Sequence, residues 1–446
     1  MFLKNKTNLI LFIILLVLIV LLLGVLYNNH KRSSKVFPFI VRKTYKKKGG
    51  LKRMMIFLVI SILTIASILI YFSVTTPKLI KNPKKLEIKT PTEIDIILTE
   101  EDILDNQYNA EHNLTKFNLT KGVKNSKELG KKILKFAAPR GSENVYEKTE
   151  EEENDYLNVV SYLLEHGYND NFLTSWIDIA PSLKRFYTLT IFEAKNKKET
   201  LPSTGKSRSY CCFTPSKLNS DGFIYKDMGL FVIANKHDSN LHLAAPHANS
   251  DSRTGSQVLE IFSVTGARTA LIPTHHRFQT AKVGCQARNS YQYPETDEAH
   301  TTNTYYNVIK LLADYYGDDY KGLEFHGFSK GQCPVDVFIA NGKTMKIIDH
   351  AVKLKENLRK FNKKWIVASP LDDSPVCNLN GGGSTTGRYL NGVEGDVCPW
   401  VLGPRRAKSI SGKFVQIEQG GWSINGGDEI RAAKHYKKAI IATYNK

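Results

Sequence analysis

The first 54 residues contain no aspartate or glutamate, and no two cysteines of the chain stand in a Cys-x-x-Cys pair. The second absence argues against a zinc ribbon and a thioredoxin-type redox motif. Cysteine is sparse, six in 446 residues, and none precedes Cys211. The chain has no internal repeat, which removes repeat arrays from consideration. What is present is ordinary in bulk. Hydrophobic residues make up 42% and charged residues 24%, which excludes wholesale disorder and a collagen-like fibre.

The charge is placed unevenly. Residues 1–54 hold twelve Lys/Arg and residues 55–90 hold five Lys and one Glu, so residues 1–90 carry 17 − 1 = +16 of the total +19. The remaining 356 residues carry 19 − 16 = +3, so the basic character gives no reason to expect nucleic-acid binding by the folded part. The basic residues surround two runs, 9–27 and 55–74, that contain no charged residue. Each is long enough for a helix to cross a hydrocarbon core of roughly 30 Å. Residues 27–30 do not look like a signal-peptide cleavage site, so two transmembrane helices are expected rather than a cleaved signal peptide and one span. Ten Lys/Arg lie between the runs, from Lys31 to Arg53, and positive loops stay cytoplasmic. This predicts a membrane protein whose C-terminal part is lumenal or extracellular, although Lys78, Lys81, Lys84 and Lys85 weaken the asymmetry. Two spans without an intramembrane charge offer no transport pathway.

Asn113-Leu-Thr and Asn118-Leu-Thr match the glycosylation acceptor pattern. The six cysteines, Cys211, Cys212, Cys285, Cys333, Cys377 and Cys398, allow up to three disulfides in an oxidising compartment. Their pairing is open; adjacent Cys211 and Cys212 pair elsewhere or lie in the core.

Three parts are expected: a membrane anchor over 1–75, a stalk and helical spacer over 76–204, and a catalytic α/β domain over 205–446. Pro77, Pro83 and Pro91 among lysines and threonines mark the stalk. Leu157, Val160, Leu163 and Leu164 have helical spacing in a spacer or a lobe of the main domain. Beyond 205, strand-length apolar runs alternate with helix-length segments. Strands are predicted over 229–234, 241–245, 268–273, 323–325, 335–340, 365–368 and 413–417. Helices are predicted over 254–264, 300–315, 343–359 and 428–443. Such alternation implies an α/β fold with a mostly parallel central sheet and helices on both faces.

In open α/β sheets the working residues sit at the carboxyl ends of strands. Four predicted strand ends carry reactive groups: His247, then His275-His276-Arg277, then His326, then Glu418. The chemistry that fits is a mononuclear zinc hydrolase, in which three protein ligands leave a position open for water. His247 and His326 are the nitrogen ligands. Asp251, four residues after His247, is the oxygen ligand, with Glu260 as the other option. Glu418 is the general base, and Arg277 stabilises a developing oxyanion or clamps substrate.

These segments carry a resemblance. Ala-Pro-His-Ala-Asn-Ser-Asp-Ser-Arg-Thr-Gly at 245–255, Thr-His-His-Arg at 274–277, Glu-Phe-His-Gly-Phe at 324–328 and Phe-Val-Gln-Ile-Glu-Gln at 414–419 resemble the zinc-carboxypeptidase-like superfamily. Within it they resemble the N-formylglutamate amidohydrolase and poly-γ-glutamate hydrolase branches, over residues 230–440. The resemblance implies zinc on His247, Asp251 and His326, Glu418 as base, and hydrolysis of an amide beside a carboxylate, in a small-molecule or peptide substrate. One departure bears on the second ligand. Carboxypeptidases place a glutamate three residues after the first histidine, where this chain has Ser250 and then Asp251.

Candidate substrate contacts are His276, His300 (one helical turn after Asp297), Arg388 and Asn391 in the loop after the glycines 381–383. Structural roles explain the same residues equally well: a helix cap for Asp297 and a disulfide-closed loop around Arg388. A rival enzyme reading uses Ser329 in Gly-Phe-Ser-Lys-Gly at 327–331 as a nucleophile elbow, with Asp372, Asp373 or Asp428 and His435. It requires a helix after the serine, where the sequence reads as loop and strand. A non-catalytic, membrane-tethered binding module is the remaining alternative, and it predicts a site lacking one ligand.

Overall fold

Strands buried on both faces must send alternate side chains into two separate cores, and this chain does so. On one short strand Leu230 and Val232 join one apolar cluster while Phe231 and Ile233 join the other. The computed structural model describes residues 100–111, 115–139, 148–193, 199–226, 228–251, 253–274, 276–277, 303–329, 333–342, 349–370, 372, 377, 379, 381–393, 397, 410–420 and 433–445. Both expected transmembrane runs and the basic loop lie outside the described residues. Among the described residues no helix is long and apolar enough to cross a membrane.

In chain order the elements are α1 (Glu100–Glu111), β1 (Thr115–Lys116), α2 (Ser126–Phe136), α3 (Glu150–His166), α4 (Asp170–Ser175), β2 (Tyr187–Glu193), β3 (Ser209–Pro215), β4 (Lys217–Leu218), β5 (Leu230–Ile233) and β6 (Leu241–Ala244). There follow α5 (Thr254–Thr265), β7 (Thr269–Ile272), α6 (Thr304–Tyr316), β8 (Lys321–Phe328), β9 (Val337–Ala340), α7 (Asp349–Phe361), β10 (Val367–Ala368), α8 (Thr385–Leu390), β11 (Phe414–Gly420) and α9 (Ala433–Tyr444).

Nine strands form one sheet in the order β10-β9-β11-β8-β6-β7-β5-β3-β2. Its centre, β11-β8-β6-β7, is parallel throughout. Outside that quartet β9 runs against β11, β5 against β7, β3 against β5, and β2 against β3. The expected mostly parallel sheet is therefore corrected to a mixed one, in which four of its eight described strand pairings are antiparallel. The reason lies in the connections. A parallel neighbour needs a crossover of roughly a dozen residues or more, usually through a helix. β8 and β9 are separated only by residues 329–336, and β3 reaches β5 without an intervening α-helix, so the chain turns back.

Helices α2, α5, α7 and α9 supply one core, with Ile133, Phe262, Leu354 and Ile440 among its buried residues. Helices α3 and α6 supply the other, with Tyr156, Leu163, Val308 and Leu312. Strand β2 and helices α2 and α3, drawn from the segment before residue 205, belong to these same layers. The acidic run at 150–155 opens α3, which starts earlier than apolar spacing alone suggests. Thr149 Oγ1 accepts from the Glu152 amide at 3.2 Å and Glu152 Oε2 accepts from the Thr149 amide at 2.7 Å. This reciprocal cap, with four acids at the positive end of the helix, outweighs the lack of apolar residues there. Cys211 and Cys212 lie buried on β3 as free thiols, on opposite faces of the sheet. Burial pushes the Cys212 thiol up to about 12. Cys333 and Cys377 form a disulfide.

Helix α2 approaches α5 through Gly130. A Cβ at that position would lie 2.4 Å from Ser256 Cα, which is backbone and cannot swing aside. Gly130→Leu is expected to force the helices apart and lower stability by about 1–3 kcal/mol, read as a reduced urea midpoint at unchanged m-value.

Candidate metal centre

The chain passes from β6 through α5 to β7 on one side, then through α6 to β8 on the other side of β6. That reversal opens a crevice at the carboxyl ends of β6 and β8, where α/β sheets bind ligands. The four strand ends singled out in the sequence are those of β6, β7, β8 and β11, the members of the parallel quartet.

After β6 the backbone makes a tight turn. His247 O accepts from Ser250 N at 2.9 Å and from Asp251 N at 2.8 Å. An i to i+4 turn brings both side chains to one side, and His247 Nδ1 lies 3.4 Å from Asp251 Oδ2. The turn is locked to the next strand, because Gly327 N on β8 donates to Asp251 Oδ2 at 3.0 Å. His326 on β8 completes the group, with Nδ1 at 3.3 Å from His247 Nδ1 and 3.7 Å from Asp251 Oδ2. The two imidazoles are each 2% exposed.

This trio is the His/Cys/Asp/Glu group among the described residues whose ligand atoms converge as a metal site would require. The fit is close. A point at the centre of a triangle with sides of 3.3, 3.4 and 3.7 Å lies about 2.0 Å from each corner, and zinc bonds nitrogen at about 2.0–2.1 Å and carboxylate oxygen at about 2.0–2.2 Å. Arg277 Nη1 lies 2.8 Å from His247 Nδ1. A guanidinium can only donate, so Nδ1 carries a lone pair, which Arg277 would have to yield for Nδ1 to bind a metal. Burial pushes the Asp251 carboxyl up, but His247, His326 and Arg277 outweigh it and hold the group below the usual carboxylate range. Asp251 is therefore an anion at neutral pH. Glu260, the other option for the oxygen ligand, faces away on α5, with Oε2 at 3.8 Å from Lys127 Nζ of α2.

Glu418 on β11 is the register partner of His326 on β8, so the two side chains leave the same face of the sheet. It is 7% exposed, and Gln416 Nε2 donates to its Oε1 at 2.5 Å. Arg277 is set by the bond from its amide to Ser250 Oγ, 3.1 Å. His276 is partly exposed, and its amide donates to Ala138 O at 3.2 Å. Arg388 is buried on α8, where Nε donates to Gly382 O and Nη1 to Val397 O. Asn391 caps α8 and bridges Asn341 O to Ser411 N. These two therefore tie loop backbone together. His300 lies outside the described residues, as do His275, Asp297 and Asn113. Ser329 is exposed after β8, and the next element is the strand β9, not the helix a nucleophile elbow needs.

Three polar groups here escaped the sequence reading. Glu324 lies 3.7 Å from His326 Nε2, and Gln416 contacts Glu418. Both stand two residues before a singled-out residue on the same strand, a period-two signal that was available. Gln419 shows no such pattern. It faces the opposite layer, exchanging amide hydrogen bonds with Gln257 at 2.7 and 3.0 Å, accepting from Tyr436 Oη at 2.7 Å and donating to His326 O at 3.2 Å.

No protein-family model and no curated protein sequence matches the chain. Among solved structures it is similar to an N-formylglutamate amidohydrolase from Ralstonia eutropha JMP134, at 12% identity and a TM-score of 0.30, over 48% of this chain and 94% of that one. It is also similar to a metallo-carboxypeptidase from Burkholderia cenocepacia, at 10% identity and a TM-score of 0.25, over 62% of this chain and 68% of that one. These are the groups that the sequence motifs resemble.

Gln419→Leu strands the Gln257 amide inside the protein and takes a hydrogen-bond partner from the Tyr436 hydroxyl. A loss of about 1–3 kcal/mol per unsatisfied group is expected, measured by urea unfolding of the metal-free chain.

Proposed function

We propose that the chain is a zinc-dependent hydrolase that cleaves an amide or peptide-like bond next to a carboxylate. The observation that carries this reading is the convergence of His247 Nδ1, Asp251 Oδ2 and His326 Nδ1 to within 3.3–3.7 Å of one another at the carboxyl edge of the parallel strands. Zinc bound to these atoms would supply Lewis acidity and a water of lowered pKa. Glu418, beside His326 and oriented by Gln416, takes the proton of the attacking water and passes it to the leaving nitrogen. Arg277, beside His247, places positive charge where the carbonyl oxygen becomes an oxyanion. His276 adjoins Arg277 in the chain, and a substrate carboxylate is the class of partner the Arg277 guanidinium suits.

We further propose that residues 9–27 and 55–74 anchor the protein in a membrane, with the C-terminal part lumenal or extracellular. The support is in the sequence: two uncharged apolar runs around a strongly basic loop. Protease added to sealed vesicles should leave the 100–446 region intact; its digestion would reverse the orientation.

The purified full chain is expected to hold about one zinc per molecule, and His247→Ala to hold none. Because imidazole and carboxylate ligands bind metal only when deprotonated, zinc affinity should fall as pH drops below about 6. Glu418→Gln should retain zinc and lose about 10²–10⁴-fold in kcat on N-acyl amino acids or γ-glutamyl peptides. Zinc retained by a wild type that turns over none of these would favour a binding module. A wild type without zinc would overturn the mechanism.

A further inference from the structure

The face of β8 that carries His326 also carries a buried acid, which the proposed reaction does not use. Glu324 precedes His326 by two residues, so both project to the same side. Glu324 is 3% exposed. Its Oε1 accepts from Tyr305 Oη at 2.8 Å and from Thr386 Oγ1 at 2.7 Å. Its Oε2 lies 3.7 Å from His326 Nε2. The donors come from the first turns of α6 and α8, so two helices fix one oxygen of the carboxylate and leave the other toward the imidazole.

A neutral imidazole carries one proton and one lone pair. His326 turns Nδ1 toward His247 and Asp251, and Nε2 toward Glu324. We propose that Glu324 is the positioning residue of His326, keeping its proton on Nε2 and its Nδ1 lone pair on the metal side. This rests on the reading of His247, Asp251 and His326 as metal ligands. At 3.7 Å the contact is longer than a hydrogen bond. In a buried setting the attraction between an N–H and a carboxylate still favours this tautomer over one that sets a lone pair against the anion. Partners of this kind typically raise metal affinity by about 10–100-fold. Tyr305 and Thr386 hold the carboxylate where it can act.

The test uses the full chain, with Zn2+ as probe in competition with a chromophoric chelator, and 15N NMR of the His326 ring in the metal-free protein. Wild type should show the Nε2–H tautomer. Glu324→Gln keeps an oxygen for Tyr305 and Thr386 but removes the charge. It should weaken zinc binding by about 10–100-fold and give mixed tautomers. Tyr305→Phe, a gentler change that serves if the first variant fails to fold, should weaken zinc binding by a smaller factor. Wild-type affinity and tautomer in both variants, or a loss of stability alone, would overturn the positioning role while leaving the metal site standing. A wild type that binds no zinc would instead overturn the ligand reading, and the affinity claim with it.

Discussion

Two imidazole nitrogens and a carboxylate oxygen, all within 3.7 Å of one another at a buried sheet edge, are held against their own electrostatics. Electron-rich atoms separate unless the fold forces them together or positive charge draws them in. Both happen here. The Gly327 amide and the Arg277 guanidinium supply donors from two directions. The parallel pairing of β6 with β8, and of β8 with β11, fixes the strand ends that carry the groups.

The two faces of the sheet share this work. On one face β8 and β11 present Glu324, His326, Gln416 and Glu418, a polar file whose Glu324 end is covered by Tyr305 of α6 and Thr386 of α8. On the other face the same strands present Leu323, Phe325, Val415 and Ile417 to the apolar core. Gln419 interrupts that core, yet its amide is matched by Gln257 and Tyr436, and it reaches back to the His326 carbonyl. A buried polar group so fully partnered fixes strand position rather than weakening the layer.

The site was legible in the sequence because parallel strands collect their carboxyl ends on one edge. His247, His326 and Glu418 each follow or end an apolar run, and that is a local pattern. The choice between Asp251 and Glu260 was not local; it turned on how α5 rotates against α2, where Lys127 meets Glu260. The sheet's mixed direction was hidden for a related reason. Strand direction depends on which strands become neighbours, and β9 beside β11 joins residues about eighty apart. Glu324 was missed although its spacing was visible, because an acid in a strand reads as a solvent-facing residue until Tyr305 and Thr386 are seen to cover it.

Asp251 is an anion in a setting that excludes water. Glu324 and Glu418 bring two further carboxyl groups to the neighbourhood of His326, and Arg277 brings a guanidinium. A buried anion is costly unless positive charge or hydrogen-bond donors compensate it. Under the proposed reading, a divalent cation held by the trio would add to the compensation that Arg277 gives. The same balance suits a proposed oxygen ligand that is a carboxylate tied to a backbone amide. Gly327 N–H offsets part of the Asp251 charge without adding a full positive charge, so the pull on a divalent ion is kept.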